Sequence, residues 1–209
     1  MVKVKEMPYS EKYKLAQENG MFLKNLAPAF IESHLGHQAA LELQEALQEQ
    51  VRAVPENASF EDKHEVAYGN FIRIGKYNFN FIREKMGEAG IRQFMRHEVD
   101  GLKRKNAGAS VLLLGLIRAI APGYAFVMTN KEFAYQLQWI TPFSVPELNA
   151  DRAVFDIPQC KVLDFEDTED ICQVGCQGVY PMWVAEQFKV KMAFDREGKR
   201  CTCAITRLS

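Results

Sequence analysis

The chain predicts an α+β fold, with a helical N-terminal half followed by a mostly antiparallel sheet and a cysteine-bearing C-terminal helix packed on it. Three observations predict it. Apolar residues recur at helical spacing through roughly the first 120 residues. After Pro122-Gly123 the apolar period changes to two. All five cysteines (Cys160, Cys172, Cys176, Cys201 and Cys203) lie in the last quarter, on segments that read as one helix and the strands around it.

The elements follow in order. Leu15, Phe22, Leu23, Leu26, Phe30 and Ile31 mark a first helix, with Pro28 as a kink or break and Gly36 beyond it. Gln38 to Val54 makes a second, in which Leu41, Leu43, Leu47 and Val51 alternate with Glu and Gln up to Pro55. Ser59 is placed to cap a long segment from Phe60 to Met86. Gly87 and Gly90 break the chain there, and helices over about Ile91 to Lys105 and Ala109 to Ala121 follow, the last stopped by Pro122-Gly123.

Tyr124, Phe126 and Met128, then Phe133, Tyr135, Leu137 and Trp139, alternate on either side of Asn130-Lys131 and predict a β-hairpin. A loop from Pro142 to Asn149 leads to a strand at Val154 to Ile157 and another from Lys161 to Phe165. The acidic turn Glu166 to Asp170 precedes a helix from Ile171 to Phe188, where acids suit the helix dipole. Tyr180-Pro181-Met182-Trp183 interrupts that helix. A terminal hairpin closes the chain: Lys189 to Phe194, a turn at Asp195 to Gly198, and Lys199 to Arg207. This divides the chain into a helical region, 1–122, and an α+β cysteine-rich region, 123–209, within one compact domain.

Composition narrows the function classes. The chain is 47% hydrophobic and 25% charged with a net charge of −1, so no basic surplus points to nucleic acid. Lys103-Arg104-Lys105 is short and reads as a solvated helix end. The longest apolar run, Val111 to Ala121, is interrupted by Arg118 and falls far below the ~20 residues of a membrane span. No segment near the N-terminus reads as a signal peptide, so the expected location is the cytoplasm, where thiols stay reduced. Clustered cysteines there favour metal binding or catalysis over a disulfide framework. The glycines form neither a P-loop nor a dinucleotide fingerprint, and no serine nucleophile elbow or paired-carboxylate signature occurs.

The cysteine spacing has a geometric meaning. Residues i and i+4 share a helix face, so Cys172 and Cys176 point the same way. Residues i and i+2 share a strand face, so Cys201 and Cys203 do too. A helix packed on the terminal hairpin would bring four sulfurs together, with Cys160 able to replace one. Such a set suits zinc or an iron–sulfur cluster. Alternatively one thiol is a nucleophile: Cys172 near a helix N-terminus but behind four acids, or Cys176, narrowly preferred, with open space left by Gly175 and Gly178. Burial of the cysteines as small core residues is the third reading.

Trp183, Trp139, Tyr135 and Phe143 are candidates to line an apolar pocket for a small-molecule ligand. His34 and His37 read as exposed residues at a helix end, and His64-Glu65 and His97-Glu98 as solvated helix faces. A homodimer stays open.

One resemblance rests on the last third, roughly residues 155 to 207. Cysteines on a helix (Cys172, Cys176), a following strand (Lys189 to Phe194), a polar turn with Gly198, then Cys201 and Cys203 on the last strand, are similar to the ending of the L-2-amino-thiazoline-4-carboxylic acid hydrolase family. They also resemble the ending of 4-vinyl reductase (V4R) small-molecule-binding domains. The first resemblance implies a hydrolase that opens a small sulfur-nitrogen ring with cysteines in its site. The second implies a ligand-binding α+β domain with a cysteine-rich zinc site, in which Cys176 matches the helix cysteine and Cys201 the cysteine after the strand. The chain departs from the second pattern in two places. Lys199-Arg200 stands where an acidic residue precedes that cysteine, and Cys203 comes earlier than the final cysteine of those domains.

Overall fold

The computed structural model describes residues 2–208, save the side chains of Ala109 and Ser110. The first half is helical, as its periodicity requires. Helix α1 runs Tyr9–Leu35, α2 His37–Gln50 and α3 Phe60–Lys105. Pro28 does not break α1; it is buried within the helix. Ser59 caps α3 as expected, its Oγ accepting from the Asp62 backbone N–H at 3.1 Å.

The break expected at the glycines is present at Gly87, where two helical segments of α3 meet at a kink, and Phe94 is turned back onto Phe79, ring centroids 6.0 Å apart. Only Gly87 leaves helical geometry, at φ 65° and ψ −165°, and Gly90 stays helical and buried. A left-handed residue at a single glycine redirects the axis without a loop. The bundle core gathers Phe30, Ile31, Leu43, Leu47, Tyr68, Ile82 and Phe94.

The predicted hairpin between Tyr124 and Trp139 is a helix instead. Helix α4 spans Ala109–Ile120 and α5 Pro122–Leu137. Helix α4 stops just before Pro122, as expected, and Pro122 then stands in the first turn of α5, where a missing N–H costs nothing. The buried residues of α5 are Ala125, Phe126, Asn130 and Ala134, a helical stripe. Helical structure therefore continues to Leu137, past the expected boundary at residue 122.

The sheet is wholly antiparallel, with strands β1 Ser144–Leu148, β2 Arg152–Ile157, β3 Val190–Glu197 and β4 Arg200–Arg207 in the order β1-β2-β4-β3. The expected loop at Pro142 to Asn149 contains β1. An edge strand tolerates Pro146, and the register shifts between Ser144 and Glu147. The expected strand at Lys161 to Phe165 is a 3-10 turn, Lys161–Asp164. The terminal hairpin forms as predicted, with β3 running on through Glu197 to pair with Arg200.

One face of the sheet carries Ala153, Phe155, Met192, Cys203 and Ile205, covered by Phe126 of α5 and by Val184 of helix α6, Tyr180–Phe188. Before α6, residues Ile171–Val179 form a π-helix, with the Tyr180 N–H reaching back five residues to the Gly175 carbonyl. Pro181 has no N–H and its ring would crowd the carbonyl four residues earlier. Widening the preceding turns relieves that crowding. The expected helix from Ile171 to Phe188 is thus continuous, and Pro181 marks its change of pitch.

Candidate functional site

The site lies in the seam between α3 and the π-helix, where the bundle meets the sheet. Ion pairs clamp the seam. Arg83 of α3 holds Asp170 with both guanidinium nitrogens, the second at 2.9 Å, and Lys76 meets Asp167 at 3.0 Å. Farther along α3, Arg96 and Lys103 both grip Glu186 of α6, the lysine at 2.7 Å. These partners hold the Glu186 carboxyl far below its ordinary range, at about 2. Three of the four acids of the turn before the π-helix, Asp167, Glu169 and Asp170, are each met by a specific cation.

A close approach at Gly178 lets the helices meet. A Cβ there would come within 2.3 Å of the Met95 Cε on α3. One turn beyond Met95, Glu98 is buried at 8% exposure, and its Oε2 has no hydrogen-bond partner. Burial alone raises its carboxyl to about 7. Its charge, with that of Cys176, adds to the burial that pushes the Tyr180 phenol up. At the other end of the seam, the Tyr68 hydroxyl of α3 is buried without a partner, beside Cys160 and Cys176.

The five cysteines reach this region from three places in the chain. Cys172 and Cys176 come from the π-helix, Cys160 from the loop after β2, and Cys201 and Cys203 from the inward face of β4. Burial pushes the Cys176 thiol up, and the charges of Cys160, Cys172, Cys201 and Cys203 push it further. Cys201 is raised to about 11 by burial and by its neighbours Cys172 and Cys160. Burial also raises Cys160 and Cys203. Cys203 pairs with Phe155 on one side and Phe194 on the other, inside the sheet core.

Cys172 differs from the other four. The Arg196 Nη1 donates to its sulfur at 3.4 Å and the Gln177 Nε2 at 3.5 Å. Arg196 lies opposite Cys201 in the β3–β4 register and is oriented by Glu169, at 2.7 Å and 3.0 Å. Two N–H donors, one of them cationic, serve a thiolate well. Three of the four acids expected to oppose a reactive Cys172 are paired: Glu169 is taken by Arg196, Asp170 by Arg83 and Asp167 by Lys76.

Thiols in this number are the donors that zinc or an iron–sulfur cluster takes. Among the described residues, however, no three His, Cys, Asp or Glu side chains lie close enough together to hold a metal ion. The sulfurs are within electrostatic reach of one another without forming a ligand set.

The aromatic candidates do not share one pocket. Trp183 stands beside Tyr180, ring centroids 6.0 Å apart, and its Nε1 donates to Gln187. Trp139 is buried, its ring edge-on to Tyr68, and it lines a cleft of about 440 Å³ with His64, Lys12 and Phe143. Tyr135 lines a different cleft and donates to Glu11 at 2.6 Å.

Two expected solvated positions are corrected. His64 is buried, its Nε2 in contact with the Trp139 carbonyl at 2.9 Å, and burial depresses its pKa. Glu98 is buried too. Sequence reasoning missed Tyr68, Glu98, Gln177 and Arg196. For the first two a signal existed: Glu98 stands at i+4 from Phe94 and i+7 from Ile91, on the apolar stripe of α3, and Tyr68 stands at i+4 from His64. Arg196 depends on strand register, which the local pattern does not fix.

Compared with known proteins, the chain matches no family model, no curated protein and no solved structure. No helix among the described residues is long and apolar enough to cross a membrane.

Proposed function

We propose that this chain is a thiol-dependent hydrolase acting on a small cyclic C–N/C–S substrate, working in a reducing, cytoplasmic environment. One observation carries the reading. The Cys172 sulfur, amid four other thiols, accepts from Arg196 and Gln177. The similarity of the chain's ending to thiazoline-carboxylate hydrolases agrees with it in substrate class.

In this reading Cys172 is the nucleophile, in preference to Cys176, whose ionisation burial and four like charges oppose. The sulfur adds to the C=N carbon between ring nitrogen and ring sulfur, and the ring nitrogen takes the proton the thiol gives up. The ring C–S bond breaks, its electron pair leaving with the ring sulfur. Water then adds to the enzyme-linked carbon, and Cys172 leaves with its electron pair. The sum is one water added and one ring bond opened. Glu98, raised to about 7, is suited to take and return the water's proton near neutral pH, with Tyr180 beside it.

The test is release of a new thiol from 2-amino-thiazoline-4-carboxylate by the purified full chain. Cys172→Ser should abolish turnover at unchanged circular dichroism, and Cys176→Ser should retain most of it. Loss with Cys176→Ser alone would move the nucleophile. No turnover by the wild-type chain would overturn the hydrolase reading.

The second reading is a 4-vinyl-reductase-like binding module with a closed zinc or iron–sulfur site. The number of thiols around Cys176 favours it, because a soft cation among them would stabilise the thiolates that burial otherwise opposes. It requires the thiols to move to ligating distance, and no step above runs through a metal. Near-stoichiometric metal in anaerobically purified protein, lost on Cys176→Ser, would select it.

A further inference from the structure

The cysteine seam leaves one large feature of the molecule unused. Helix α4 presents Leu112, Leu113, Leu116 and Ile120 to solvent, at 75%, 58%, 65% and 86% exposure. The spacing i, i+1, i+4, i+8 puts all four on one stripe. Tyr124 and Met128, one turn apart on the following α5, are exposed as well, at 62% and 42%. Scattered exposed leucines are ordinary, but a continuous apolar stripe of this kind marks a surface that something covers.

We infer that this face is the contact surface of a symmetric homodimer, with α4 of one copy packed against α4 and α5 of a second. Three observations select a second copy. The first is charge. The only charged residue of α4 is Arg118, and its guanidinium turns inward to the Gln187 carbonyl at 3.4 Å. The stripe itself carries no charge, so it can meet its own image about a two-fold axis without like-charge repulsion. A helix that lies on an anionic membrane surface instead carries lysines and arginines along its polar face. Two of the three basic residues just before α4 are occupied within the molecule, Lys103 by Glu186 and Lys105 by Asn19.

The second is area. Large side chains offer on the order of 150–250 Å² each, so six at these exposures present roughly 700 Å², against the roughly 800 Å² each partner buries in a standard interface. The third is support. Helix α4 packs chiefly on α5, and an apolar helix held on one side gains most from a second apolar surface.

The experiment is light scattering on the full chain after size exclusion, over a range of concentrations, beside the double variant Leu112→Glu/Leu116→Glu. The wild type should elute as a dimer and the variant as a monomer. The variant's dissociation constant should rise at least about a hundredfold, because each copy would bury two carboxylates against their images. Both positions are exposed, so circular dichroism of the variant should not change. Ile120→Lys is a second variant expected to act the same way. A wild type that stays monomeric at every concentration, or variants that stay dimeric, would overturn the inference. So would a monomeric wild type that sediments with phosphatidylcholine–phosphatidylglycerol vesicles while the variant does not; that result would assign the face to a membrane surface.

Discussion

Helices α3 and α4 break the inside–outside rule in opposite directions. On α3, polar atoms are buried without partners: His64 Nδ1, Tyr68 Oη, Asn78 Oδ1 and Glu98 Oε2. On α4, leucines and an isoleucine face water. Each arrangement lowers stability taken alone. A buried orphan polar atom costs about 1–3 kcal/mol, and an exposed leucine forgoes about 1.5–3 kcal/mol of burial. A fold carries such departures at surfaces that meet something else. Of these buried groups the Tyr68 hydroxyl and the Glu98 carboxyl fit the proposed reaction seam, and the exposed apolar groups of α4 fit the proposed interface. The two regions should therefore respond differently to substitution, since α3 is bound into the core and α4 is not.

The largest expected effect is on α3. Tyr68→Ala should destabilise the protein by about 4 kcal/mol, because it empties a fully buried aromatic site against Trp139 and Phe165. Denaturant unfolding measures it, and a loss below about 1 kcal/mol would place Tyr68 outside the core.

Next comes the pH dependence of Glu98. Its carboxyl is raised from 4.5 in the unfolded chain to about 7 in the fold. Below pH 4.5 it is protonated in both states and contributes no difference. Between pH 4.5 and 7 the unfolded chain ionises and the folded one does not, so stability falls. Above 7 the loss is complete, on the order of 3 kcal/mol. Glu98→Gln should therefore stabilise the fold by up to that amount at pH 8 and by little at pH 4. Equal effects at both pH values would show that Glu98 is not a buried acid.

A smaller gain, about 1 kcal/mol, is expected for Tyr68→Phe, which removes the orphan hydroxyl and keeps the ring. The smallest effect belongs to α4. In dilute solution Leu112→Glu should change stability by less than about 0.5 kcal/mol, since nothing in its own copy covers that side chain. A loss like that of Tyr68→Ala would erase the contrast between the helices.

The same contrast explains what could be read from the sequence. The helical half and the terminal hairpin were legible, because each rests on a local period or a fixed offset. The region from Tyr124 to Trp139 was not. Its aromatics alternate by chance, while the burial stripe Phe126, Asn130, Ala134 has helical spacing and includes an asparagine. An apolar-only pattern passes over a stripe of that kind. Strand β1 was hidden by Pro146, which only an edge position admits. Within the site, the cysteines were visible as a rare residue type, but their difference in chemistry was not. It comes from Arg196 and Gln177, one across a strand register and the other on a π-helical turn. Glu98 was passed over because a charged residue next to a histidine reads as solvated until its apolar neighbours one and two turns away are counted.

The central claim is that Cys172 is the reactive thiol of the seam, and competitive alkylation tests it most directly. The intact reduced protein is exposed briefly to substoichiometric iodoacetamide at neutral pH, and the modified position is mapped by mass spectrometry. Exposure alone favours Cys160 and Cys176, which are half-buried, over Cys172, which is 7% exposed. The account predicts the opposite order: Cys172 is labelled first, and Arg196→Met slows its labelling at least about tenfold. Labelling that follows exposure, with Cys160 or Cys176 ahead and no dependence on Arg196, would contradict it.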